Sequence, residues 1–126
     1  MTRSHNPSNA PRPVGQYVQG LELDVGARLL FISGQIPEDK NGAVPEDFDA
    51  QCRLVWSHIG EVLQAAGMTW TNLVNVTTFL TDRRHAELNG TIRRETLGRH
   101  EPTLTVVVVQ TLDPRWLLEI EGIAAS

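Results

Sequence analysis

A disulfide within this chain is excluded, because its 126 residues hold a single cysteine, Cys52. That poverty fits a reducing compartment. Long apolar runs are missing as well: nothing approaches the roughly 18 apolar residues in a row that a membrane-spanning helix requires. The opening Met1-Thr2-Arg3-Ser4-His5-Asn6-Pro7 lacks the apolar core of a secretory signal. The expectation is a cytoplasmic protein without a membrane partner. Positive charge is also in short supply, with 11 Lys and Arg against 15 Asp and Glu and a formal net charge of −4. Such a chain is not expected to attract nucleic acid over long range. His5, His58, His85 and His100 show no HExxH or other ligand spacing, so no metal is expected. No repeat or low-complexity tract interrupts the sequence.

What is present suits a folded chain. A hydrophobic content of 40% with 21% charged residues is ordinary for a globular protein. The length predicts a single domain over residues 1–126. Residues 1–13 carry Ser, Asn and three of the seven prolines, and read as an irregular arm.

Tyr17 to Leu23 alternates weakly and is a candidate first strand. Asp24-Val25-Gly26-Ala27 is turn-like and Leu29 to Ile36 is a strong strand, so the two predict a hairpin. Gly34 inside that strand marks a bulge or a close approach to the backbone. From Glu46 to Ala66, Phe48, Cys52, Val55, Ile59, Val62, Leu63 and Ala66 recur at spacings of three and four, the apolar stripe of a helix. Cys52 lies on that stripe and reads as core packing rather than as a nucleophile. Val74 to Leu80 reads as a strand. Asp82 caps a second helix over 83–97, with Leu88, Ile92 and Thr96 as its apolar face and Gly98 as its end.

Pro102 to Gln110 contains four consecutive valines, apolar on both faces, and predicts a central strand buried on both sides. Asp113-Pro114 forms a turn and Leu117 to Ile123 a last strand. The order is β-β-α-β-α-β-β, an α+β fold with two helices on one face of a mixed sheet. The second face of the valine strand is then expected to be buried against other copies of the chain.

Three segments carry a resemblance: Val14-Gly15-Gln16-Tyr17-Val18-Gln19-Gly20, Ile32-Ser33-Gly34-Gln35-Ile36-Pro37, and Leu118-Glu119-Ile120-Glu121-Gly122-Ile123-Ala124. Together with Ala65-Ala66-Gly67 and Thr77-Thr78-Phe79-Leu80-Thr81-Asp82 they resemble the signature segments of the RidA family, the reactive intermediate deaminases, from about Pro13 to Ala124. The resemblance implies a chorismate-mutase-like subunit, a homotrimer, and small-molecule clefts between subunits. Family members with deaminase activity hydrolyse 2-imino or 2-enamino acids to 2-keto acids and ammonia, with no metal or organic cofactor. By the same resemblance Glu119 positions the attacking water, and Tyr17, Gly34 and Asn89 shape the cleft. Leu104, in Pro102-Thr103-Leu104-Thr105, stands where active deaminases carry a substrate-clamping arginine in a Pro-x-Arg-[Ser/Thr] pattern.

A guanidinium holds a carboxylate through paired charge-assisted hydrogen bonds, and leucine offers none. Losing about 3 kcal/mol of transition-state binding costs roughly a hundredfold in rate. Ordinary 2-imino acid deamination is therefore doubtful. Either another arginine reaches the cleft or the substrate lacks the carboxylate. Arg83, Arg84, Arg93, Arg94, Arg99 and Arg115 are the candidates for the first route, and the plain reading is that all are solvated. The second route makes Leu104 an apolar wall that raises the pKa of a nearby Glu119.

Each nominated residue also has a plain reading. Tyr17 suits a subunit seam, Gly34 a strand irregularity, Glu119 and Glu121 an exposed strand face, and Asn89 a solvated helix position. The leading expectation is a cofactor-free trimer acting on an imine- or enamine-type metabolite. The alternative is a non-catalytic binding or regulatory trimer. Ribonuclease action, known in some members of the family, is disfavoured by the charge and the lack of an aromatic-basic motif.

Overall fold

The computed structural model describes residues 2–126 and builds two sheets and two helices. Strands β1 (Thr2–His5) and β2 (Gly20–Leu23) pair antiparallel as a separate ribbon. The main sheet holds β3 (Leu29–Gln35), β4 (Leu73–Leu80), β5 (Thr103–Val108) and β6 (Leu118–Ala125), in the spatial order β3-β6-β4-β5. Among the described residues only β4 and β5 run parallel. A parallel pair needs a crossover, and α2 (Ala86–Leu97) supplies it. The other helix, α1, spans Phe48–Ala65.

Both helices pack on one face of the sheet. From α1, Phe48, Cys52, Val55, Trp56, Ile59 and Leu63 meet Ile32, Val76, Leu80, Leu118 and Ile120 of the strands, with Ile92 and Leu97 of α2. The spacing that predicted α1 is the spacing that buries it. Asp47 accepts a hydrogen bond from the Ala50 N–H at 2.7 Å and caps its start. Cys52 is fully buried in this core, and burial pushes its thiol up to about 12. No described helix is long and apolar enough to cross a membrane.

Four expectations need correction. The predicted hairpin does not form. The turn is present, with the Ala27 N–H donating to the Asp24 carbonyl at 3.3 Å and Gly26 at φ 89°. It carries the chain out of the ribbon and into a different sheet, where Arg28 and Ser126 exchange backbone hydrogen bonds at 2.9 and 3.0 Å. The arm is not wholly irregular either, because Thr2–His5 forms β1; Met1 lies outside the described residues. Its remainder is tied down, with Asn6 Oδ1 accepting from the Gln19 N–H and Gln19 Nε2 donating to the Pro11 carbonyl, both at 2.7 Å.

The valine strand is not central. β5 is the edge of the sheet, and Val106, Val107 and Val108 are 39%, 39% and 50% exposed. Apolar character on both faces records what a strand can bury, not where in its own sheet it lies. The second helix is turned relative to the expected face. Leu88 is exposed, and the buried positions are Asn89, Gly90, Ile92, Arg93 and Leu97. Asp82 caps a 3₁₀ turn at Arg83–His85, which leads into α2.

Candidate functional site

A cavity of about 540 Å³ opens where the segment before β2, the start of α2 and the start of β5 converge. Tyr17, Asn89, Gly90, Arg93, Leu104 and Val106 are among its walls. Its size falls within the range of small-molecule sites, roughly 300–1,000 Å³.

Backbone contacts place the Tyr17 wall. The Val18 N–H donates to the Pro102 carbonyl at 3.2 Å, and the Gln16 side-chain amide donates to the Gly98 carbonyl. Both anchors bind this segment to the chain entering β5. The Tyr17 hydroxyl in turn accepts from the Val14 N–H at 3.2 Å. Gly98 adopts φ 61°, a left-handed conformation that ends α2 and turns the chain toward the strand. Asn89, 1% exposed, has Cys52 Sγ 4.0 Å from its Oδ1, a weak contact at most. Leu104 pairs with Val76 in the parallel ladder and so points toward the helices.

Glu119 and Gly34 lie elsewhere. Glu119 pairs with Phe79, three residues along β4 from the partner of Leu104. An odd separation on a strand reverses the face, so Glu119 points away from the helices. There it stretches over Gly34, where β3 breaks register between Ile32 and Gln35. A Cβ at Gly34 would sit 2.8 Å from the Glu119 Cδ. The irregularity and the close approach expected of Gly34 are thus both present.

The five nominated residues therefore fall into two groups within one chain. Tyr17, Asn89 and Leu104 share the cavity; Gly34 and Glu119 meet on the opposite side of the sheet. Leu104 is not the neighbour that perturbs Glu119. The Glu119 carboxyl is nevertheless pushed above the usual glutamate range, first by burial and then by the charge of Glu121 on the same strand face. Replacing Glu121 with Gln should bring the Glu119 titration down toward, but not onto, the ordinary value. Carboxyl ¹³C chemical shifts followed against pH would check this. An unchanged titration midpoint would remove Glu121 as a cause.

Of the six arginines weighed as cleft candidates, two line the cavity: Arg93, 6% exposed, reaches it from α2, and Arg94 stands exposed at its rim, whereas Arg83, Arg84, Arg99 and Arg115 are exposed as expected of solvated charges. The signal was available in principle. Arg93 follows Asn89 by four residues, which puts both on one helix face.

The whole is an α+β sheet protein with a half-open cavity at one sheet edge and a perturbed carboxylate on the uncovered face. The sequence profile described as endoribonuclease L-PSP matches residues 7–126. The 2-iminobutanoate/2-iminopropanoate deaminase of Salmonella typhimurium is 34% identical over 128 residues, covering 98% of each chain. Among solved structures, a Rid-family protein of unknown function from Yersinia pestis superposes with a TM-score of 0.82 at 26% identity, over 99% of this chain and 98% of that one. TdcF of E. coli, solved with bound serine, gives 0.74 at 31% identity over 98% of both. The chain belongs to the RidA family.

Proposed function

We propose that this protein hydrolyses an imine- or enamine-type metabolite to a carbonyl compound and ammonia, in clefts completed by neighbouring copies of the chain. The observation that carries this reading is the separation of the two groups of site residues. A cavity holding Tyr17, Asn89 and Leu104 on one side of the sheet, and Glu119 over Gly34 on the other, cooperate only when two copies face each other. The exposed valines of β5, together with Phe31 at 71% exposure, supply apolar surface for such an assembly. A homotrimer, as the family resemblance implies, gives three equivalent clefts by symmetry.

The chemistry needs a proton shuttle and no cofactor. Glu119, as carboxylate, takes a proton from water while the oxygen attacks the carbon of the protonated C=N group, giving a neutral carbinolamine. The protonated carboxyl then returns that proton to nitrogen; the C–N bond breaks, ammonia leaves, and the carbinol hydroxyl gives its proton to the Glu119 carboxylate as the carbonyl forms. A carboxyl titrating above the usual range suits both halves of that cycle, because acid–base catalysis is strongest near the working pH. Relatedness to a chain named as an iminobutanoate and iminopropanoate deaminase points to the same reaction class. Ribonuclease action is less well supported. Glu119 and Glu121 share a strand face, and a paired negative charge there repels a phosphate backbone.

The test is to generate 2-iminobutyrate in situ, and separately an imine lacking a carboxylate, and follow carbonyl product against a buffer blank. Acceleration of either is the expected result, with a native mass of three chains. Acceleration of neither would overturn the hydrolase reading in favour of a binding trimer.

A further inference from the structure

We propose that Arg93, on α2, is the anion-binding group of the cavity, so that the ligand carries a carboxylate docked from the helix side. This rests on the same cleft as the function proposed above and names the ligand's charged end. Arg93 is 6% exposed, and no ion pair or side-chain hydrogen bond holds its guanidinium among the described residues. An arginine stays protonated in proteins. A buried cation without a counter-ion is costly, and such groups are ordinarily paired or facing a ligand.

The surroundings keep the guanidinium available. A methyl group added at Gly15 or Gly90 would come within 3.9 and 3.8 Å of Arg93 Nη2, so two glycines flank the fork and neither places a side chain over it. Glu87 lines the cavity from the exposed first turn of α2, yet it is not among the charges that perturb Arg93. Arg94, exposed at the rim, adds a second positive charge. Burial and the Arg94 charge both push Arg93 below the usual arginine range. An incoming anion relieves both. The planar fork matches a carboxylate with two parallel hydrogen bonds. Leu104 and Val106 then offer an apolar wall for a short alkyl chain.

The experiment is calorimetric binding of 2-oxobutyrate, a carboxylate, and 2-oxobutanamide, its neutral counterpart, to the full chain. Wild-type protein should bind the acid and not the amide. Arg93→Gln should weaken binding of the acid roughly ten- to a hundredfold. Arg99→Gln, exposed and outside the cavity, should leave it unchanged. Equal affinity for acid and amide, or full affinity in Arg93→Gln, overturns the proposal. So does a change of native mass in Arg93→Gln with affinity retained, which would assign the guanidinium to a carboxylate of a neighbouring copy. If Arg93→Gln does not fold, Arg93→Lys decides. It keeps the charge without the fork, so its affinity should drop, and an unchanged value refutes bidentate docking. Binding with no imine turnover would sink the hydrolase reading and leave Arg93 standing; turnover of an imine with no acid binding does the reverse.

Discussion

Glu119→Gln should lower imine turnover by about 10²- to 10⁴-fold, the usual worth of a positioned acid–base group. The substitution keeps the side-chain shape and removes the proton. Its effect on stability should have the opposite sign. The folded state holds the Glu119 pKa above its unfolded value, so it binds that proton more tightly. The stability gained this way is fully present at low pH and is lost as pH rises through the raised value. At neutral pH the ionised carboxylate is therefore a small burden, and glutamine relieves it. Thermal melts at pH 7 should show Glu119→Gln no less stable than wild type. A variant that loses activity by unfolding would show the reverse, which separates catalysis from folding in one pair of measurements.

Gly34→Ala should lower turnover by about a hundredfold, the penalty expected when a reacting group is misplaced by an ångström or so. A Cβ there would approach Glu119 Cδ to 2.8 Å, against an optimal carbon–carbon separation of about 3.5–4.0 Å. The carboxyl end of a flexible side chain can swing aside, so the fold should tolerate the change at a cost below about 1 kcal/mol. Gly34 has no positive φ; it provides space rather than an unusual backbone shape. The decisive comparison is the double variant. With Glu119→Gln already in place, Gly34→Ala should change turnover little, because the group it displaces no longer acts. Additive losses would show that Gly34 acts through something other than Glu119.

The readings that failed share one physical cause. Period-based patterns report which side chains prefer burial, and packing decides what buries them. On α2, Leu88, Ile92 and Thr96 formed the most apolar face available. The structure rotates the helix by about a quarter turn, one residue being about 100°, and buries Asn89, Gly90 and Arg93 beside Ile92 and Leu97. That rotation explains both errors at once: Leu88 is exposed, and Arg93 lines the cavity. A composition rule that arginine belongs in water had no means of singling Arg93 out among the six candidates. On β5 the four valines predict a central strand, yet the strand takes the edge of its sheet and leaves Val106, Val107 and Val108 exposed. Strand β2 lies within the expected first strand, Tyr17 to Leu23, but its partner β1 gives no sequence signal for a related reason, since Thr2–His5 is exposed along its length and leaves no pattern of alternation.

By itself the sequence determined α1, β3, β4 and β6, because each repeats its apolar residues at the period of the element it forms. It also determined the family, because Tyr17, Gly34 and Glu119 stand within segments whose order of residues is distinctive. Only the tertiary structure decided that Leu104 and Glu119 face opposite sides of one sheet. That relation depends on strand register across β4, which no local pattern encodes. The tertiary structure also decided that a charged residue of α2 turns inward, because helix rotation is set by contacts with α1 and the sheet rather than by the helix alone.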